Sequence, residues 1–215
     1  MRGVWIPGEP GLGPWLDDLR RIAPMPAPAV RLEFTLRPGR WVDLYTLVER
    51  AVRTTGAGRA LHGLIATKRW GAPAGMRLRP VSAVTVARAR PPGDTLLDVS
   101  ADARPRGKAD KAALRDLIAE AWGARPVLPG ESWADVRTSA AGSLLGGVEA
   151  ILDRLEPVLG RDPRGRAWQE FFPFDDRIVW LRLLRDPAGP ALRLRAGAER
   201  GTGAERDAAS PERPS

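Results

Sequence analysis

Two adjacent carboxylates, Asp175 and Asp176, follow the aromatic run FFPF and open the segment DDRIVWLRLLR, which reads as a β-strand edged with arginine. Acids beside a basic strand suit metal-assisted chemistry on a phosphate backbone. Several carboxylates must converge on a hard ion such as Mg2+ for it to polarise a phosphoryl oxygen and help ionise the attacking water. The same pair also suits a turn, because aspartate side chains bond their own backbone there. Within an extended strand the two would point to opposite faces. A shared ion therefore needs a turn or bulge, or a third acid: Asp43 from elsewhere in the chain, or Asp135 or Glu131 nearby.

Other chemistries are poorly provided for. The chain has no cysteine and one histidine, His62, which removes thiolate chemistry and most zinc sites. His62 lies in a predicted strand with no serine motif attending it and reads as an ordinary polar residue. The segment GEPGLG has neither a preceding strand nor the lysine of a P-loop, and GSLLGG matches no phosphate cradle, which argues against an ATPase or a dehydrogenase.

The formal charge of +8 invites a polyanionic partner. Only Lys68, Lys108 and Lys111 are lysines and the other cations are arginines, amid abundant Ala, Gly and Pro, so part of the excess is compositional. Placement says more than the sum. Lys68, Arg69, Arg77 and Arg79 fall on one pair of predicted strands, and Arg182, Arg185, Arg193 and Arg195 on another. Trp41 beside Arg40, Trp70 beside Arg69 and Trp180 near Arg182 could stack on bases, although Trp180 alternates with Ile178 and reads as core.

These side chains need elements to hold them. The 215 residues, 43% hydrophobic with eight Trp, can bury a sizeable core. No run approaches the ~18 apolar residues of a membrane span, and the opening residues lack a signal-peptide core, so a cytoplasmic protein with no membrane partner is expected. Residues 1–13 read as a flexible Gly/Pro-rich lead. Residues 14–23 read as a helix begun by Pro14, 30–36 as an alternating strand, and 42–52 as a helix capped by Asp43. Residues 61–69 and 75–89 read as strands around the turn GAPAG. A second series follows: a helix at 108–123, a strand at 132–138, a helix at 143–160 capped by Ser143 and ended or kinked by Pro157, then DDRIVWLRLLR, the turn DPAGP and the strand ALRLR. Residues 197–215 read as a disordered tail.

Helix, strand, helix, strand, strand thus occurs twice. The hairpins echo each other locally, as ATKRWGAPAGMRLRP and LLRDPAGPALRLRA. The expected architecture is α+β, with two similar halves, 14–90 and 91–196, each a small mixed sheet with two helices, fused as an internal pseudo-dimer.

The repeated unit resembles the RusA-type Holliday junction resolvases, small dimeric metal-dependent DNA endonucleases. Their pattern is a strand, a basic patch, an Asp-x-Asp-Asn-Leu-x-x-Lys-like motif opening a helix, and an Asp-Asp pair entering a strand with a basic end. In RPGRWVDLYTLVERAV, Asp43 matches the first Asp, while Tyr45 and Thr46 stand at the second Asp and the Asn. AGRA lies where the Asp-Asp pair would fall, and Lys68 matches the basic strand end. In the second half Ala140 and Gly142 replace the first acids, Ser143 stands at the Asn, Asp175 and Asp176 match the later pair, and Arg185 the basic end. The resemblance implies a structure-specific endonuclease with an incomplete acidic site. Asp175, Asp176 and Asp43 would be catalytic and hold Mg2+. Arg40, Lys68, Arg69, Arg182, Arg185 and Arg193 would contact branched or double-stranded DNA. Its alternatives are an inactive branched-DNA-binding protein on the same scaffold and a basic domain that binds a protein.

Overall fold

The computed structural model describes residues 3–21, 27–40, 42–56, 60–139, 142–165 and 172–200. The elements in chain order are β1 (Val4–Pro7), α1 (Gly13–Arg20), β2 (Ala29–Leu36), α2 (Leu44–Thr54), β3 (Gly63–Trp70), β4 (Gly75–Val81), α3 (Ala83–Arg88), β5 (Leu97–Ala101), α4 (Lys108–Trp122), β6 (Ser132–Thr138), α5 (Val148–Leu152), α6 (Glu156–Leu159), β7 (Ile178–Arg185) and β8 (Leu192–Ala198). Short 3-10 turns occupy Asp153–Leu155 and Asp175–Arg177.

All eight strands join one mixed sheet in the order β1-β4-β2-β3-β7-β6-β8-β5. The fold is α+β as expected, but the chain builds one continuous sheet rather than two separate sheets. The join is the antiparallel pairing of β3 with β7, running from Gly63 opposite Leu184 to Thr67 opposite Trp180. Outward from that join each side repeats the same steps. A parallel neighbour comes first (β2 or β6), then an antiparallel one (β4 or β8), then a short antiparallel edge (β1 or β5). Arg31 lies opposite Ile65 and Arg79 on one side, as Asp135 lies opposite Arg182 and Arg195 on the other, so Arg79 and Arg195 hold matching places.

Strand side chains alternate between faces, and the two faces differ. On one, Leu32, Phe34, Leu64, Leu181, Leu183 and Leu194 pack in a single core with Trp15 and Leu19 of α1, Leu47 and Val48 of α2, Ile118 of α4 and Ile151 of α5. Burial of each such side chain contributes about 1.5–3 kcal/mol. Helix starts are set by local bonds. Asp43 accepts the N–H groups of Tyr45 at 2.9 Å and Thr46 at 2.7 Å, capping α2. The other face carries only a small cluster, Ala29, Ile65, Val86, Trp133, Trp180 and Leu184, under the short α3.

Several elements depart from expectation. Residues 75–89 hold a strand and then a helix, because Ser82 Oγ accepts the Thr85 N–H at 3.0 Å and caps α3. Residues 4–7, read as flexible, form the edge strand β1, and β5 went unread. The helix expected from Ser143 begins at Val148, after Gly147 in the left-handed region (φ 72°), and is interrupted by the 3-10 turn before Pro157. The tail expected from 197 overlaps β8, which runs through Gly197 to Ala198, and residues 201–215 and Trp41 lie outside the described residues. Among the described residues no helix is long and apolar enough to cross a membrane.

Candidate nucleic-acid interface

The face without the helical layer is where the arginines gather. Alternation puts Leu64, Ala66 and Lys68 on the helix side, hence Ile65, Thr67 and Arg69 on the other. The same parity directs Arg31 and Glu33 of β2, Arg77 and Arg79 of β4, Arg182 of β7, Asp135 and Arg137 of β6, Arg193 and Arg195 of β8 and Asp98 of β5 outward from the main core. Cross-strand register turns this into a row: Arg79, Arg31, Ile65, Arg182, Asp135, Arg195 and Asp98 lie successively opposite one another.

The few carboxylates on this face are shared. Glu33 serves Arg31 at 3.0 Å and Arg79 at 3.8 Å. Asp98 serves Arg193 at 2.7 Å and Arg195 at 3.7 Å, and its hydrogen bond with Arg193 holds its carboxyl below the usual range. Asp135, fully buried, accepts two bonds from Arg182 (2.8 and 2.5 Å), lies 3.3 Å from Arg137 and 3.8 Å from Arg195. Arg77, Arg88 and Arg90 are exposed and meet no carboxylate among the described residues. One carboxylate cannot neutralise two or three guanidinium groups, so the face keeps a net positive charge. Planar guanidinium groups also suit two-point bonding to phosphate oxygens.

Trp133 and Trp180 meet edge-on, centroids 6.2 Å apart, and both are buried, so they floor this face and are not available to stack on bases. The segment linking α3 to β5 is laid against β8. A Cβ on Gly93 would stand 1.9 Å from the Ala198 carbonyl oxygen, and one on Gly197 would stand 2.0 Å from that of Asp94. Glycine at both positions lets the two backbones touch.

The acids singled out in the sequence gather elsewhere. Lys68, on the helix side, is buried and donates to the backbone carbonyls of Val42, at 2.8 Å, and of Asp176. Burial lowers its pKa to about 8, against the pull of Asp43, Asp176 and Asp175. Burial also pushes the Asp175 carboxyl up to about 8, with Asp43, Asp153 and Asp176 adding to the rise. Asp43, Asp175 and Asp176 are thus electrostatic neighbours around one lysine. The 3-10 turn, not an extended strand, carries the Asp pair.

This group does not fit Mg2+. The Asp43 oxygens are occupied by the α2 cap, and the Asp176 carboxylate takes Arg164 at 2.6 Å, an arginine that also grips Asp162. Asp175 sits where a negative charge is disfavoured. Among the described residues no group of three or more acid or histidine side chains is placed to hold a metal ion.

The remaining expected contacts divide between the faces. Arg69, Arg182 and Arg193 belong to the arginine face, with Arg182 wholly buried. Arg40 is partly buried 3.6 Å from Glu9, and its carbonyl accepts the Trp70 indole N–H at 2.8 Å. Arg185 bonds the Gly142 carbonyl beside the exposed His62. Asp135, considered as a substitute metal ligand, is instead the partner of Arg182. The sequence reading passed over Arg31, Arg137, Arg88 and Arg90. Parity within VRLEFTL and SWADVRT could have found the first two, whereas Arg88 was hidden by reading 75–89 as one strand and Arg90 lies just beyond that segment. No protein-family model, curated protein or solved structure matches this chain.

Proposed function

We propose that this protein binds branched or double-stranded DNA through its arginine face, as a non-cleaving counterpart of the resolvase-like scaffold. The observation that carries the reading is the segregation of faces: α1, α2, α4 and α5 cover one side of the sheet, and the other, covered only by the short α3, presents rows of arginines sharing too few carboxylates. A twisted, arginine-lined sheet can follow a phosphate backbone, with affinity supplied largely by counterion release. The mirrored strand pairings on either side of the β3–β7 join, and the matching places of Arg77–Leu78–Arg79 and Arg193–Leu194–Arg195, support a duplicated and fused unit. Such a molecule meets DNA with two related basic surfaces, which suits a branched substrate with local two-fold symmetry.

The cleaving alternative draws on the convergence of Asp43, Asp175 and Asp176 around Lys68. Against it stand the commitments of those carboxylates to a helix cap, an arginine and a buried site. Incubating the protein with labelled four-way junction and duplex, with and without Mg2+ or Mn2+, tests the choice. Binding without product in any metal is expected. Metal-dependent cutting that is lost in Asp175→Asn/Asp176→Asn with binding retained would establish the alternative, and no binding at low salt would remove both.

A further inference from the structure

Between the 89–95 segment and strands β6, β7 and β8 lies a cleft of 620 Å3 whose wall holds Arg88, Arg90, Arg137, Arg195 and Arg200, with Arg182 beneath. That volume falls in the ~300–1,000 Å3 range of small-ligand clefts. Arg182 is not available to a ligand. It spends its guanidinium on Asp135 and on the carbonyls of Val86 at 3.3 Å, Ala87 at 3.2 Å and Ala89 at 2.5 Å, which ties the end of α3 to the sheet. Asp135 in turn steers Arg137 and Arg195 into the wall, where the buried Arg195 Nε makes no hydrogen bond. Arg88 and Arg90 approach from the connecting segment, and the single carboxylate of the wall, Asp94, is held by Arg200. The remaining lining is alanine, proline, glycine and threonine, with no ring on which a base could stack.

From this we infer that the cleft is a site for a phosphate monoester, and that it takes the terminal phosphate of a DNA strand. The assignment of the phosphate to DNA rests on the arginine-face reading; the site itself does not. Charge selects the monoester. A terminal phosphate carries about −1.5 to −2 at neutral pH, whereas a diester carries one charge, and the wall offers several guanidinium groups arranged around one buried carboxylate. Terminal oxygens can also accept paired N–H bonds from Arg137 and Arg195 together with Arg88 or Arg90.

The experiment compares DNA duplexes of one sequence with 5′-phosphorylated or 5′-hydroxyl strand ends by fluorescence anisotropy, for the full chain and for Arg88→Ala/Arg90→Ala. Both of these side chains are exposed, so the variant keeps the fold. The phosphorylated duplex should bind the full chain about tenfold more tightly than the hydroxyl duplex, and in the variant that ratio should fall to about one, while the loss of two cations from the arginine face weakens both duplexes alike. In parallel, melting temperature is followed with inorganic phosphate and with pyrophosphate. Equal affinity for both strand ends would overturn the strand-end site and leave the arginine-face reading standing. A preference unchanged in the variant would overturn the assigned cleft. If no duplex binds but phosphate stabilises the full chain and not the variant, the monoester site stands, with a free phosphorylated molecule as its ligand, and the DNA reading falls. No response to either ligand would overturn both.

Discussion

Arg182 and Asp135, on adjacent strands, form a two-point ion pair in which both side chains are shut off from solvent, at 2.8 Å and 2.5 Å. Removing one member of such a pair leaves an uncompensated buried charge. Asp135→Ala should therefore cost about 3–5 kcal/mol in urea unfolding. Arg182→Lys should recover little, because one ammonium cannot reproduce the fork that spans Asp135 and the α3 carbonyls. A loss of stability below about 1 kcal/mol for Asp135→Ala would show that the pair does not organise this face.

The acid group around Lys68 makes stability pH-dependent with a definite sign. Asp175 ionises near pH 8 in the folded chain, because burial, Asp43, Asp153 and Asp176 all oppose its charge, against an ordinary 3.8. A raised carboxyl pKa means the folded state favours the protonated form. Its contribution is complete below pH ~4 and is lost as pH rises through 8. Asp175→Asn, which mimics the protonated acid, should match the parent at pH 4 and exceed it at pH 8 by on the order of a few kcal/mol. Lys68, lowered to about 8 by burial, opposes folding when charged, and that cost is relieved only as pH rises above 8. Parallel stability curves for parent and variant between pH 4 and 8 would contradict this placement.

Gly93 and Gly197 mark a contact of backbone on backbone that no side chain can share. Each single alanine substitution should lower stability by about 1–3 kcal/mol, because the atoms met are main-chain carbonyl oxygens that cannot swing aside. The alanine at Gly197 also meets Trp133, at 2.9 Å, so it should disturb the tryptophan pair and change the near-ultraviolet circular dichroism. Gly39, where an added Cβ meets nothing within 4 Å but φ is 80°, provides the comparison: its alanine variant reports backbone strain alone.

Much of the sheet was legible because half-buried strands advertise themselves by alternation. VRLEFTL puts Leu32 and Leu36 on the helix side and Arg31 and Glu33 on the other, and in IVWLRLLR Leu181 and Leu183 face the helices while Arg182 shares the opposite face with Trp180 and Leu184. β1 and β5 were not legible, since four or five residues among glycines and prolines carry too few alternations to stand out. α3 hid because Val84, Thr85 and Val86 look like strand, while a single serine hydroxyl decides for the helix. The Asp pair was legible as a feature but not as a site. Sequence cannot show that Arg164 claims Asp176, that burial neutralises Asp175, or that the arginines with the fewest carboxylates lie across the sheet from them. Joining β3 to β7 likewise leaves no local signal, because the pairing partners lie more than a hundred residues apart in the chain.

The central claim is that one face of this sheet, and not the helical side, meets DNA, and matched charge reversals on the two sides test it most directly. Arg77→Glu/Arg79→Glu lies on the arginine face, and Arg20→Glu/Arg21→Glu, at the C-terminal end of α1, makes the same change in net charge on the helical side. Junction affinity is measured across a salt series. The first variant should bind at least about tenfold more weakly and lower the slope of log K against log salt by about 2, and the second should stay within about twofold of the parent. Equal losses from both variants, or an affinity that salt does not weaken, would contradict the account.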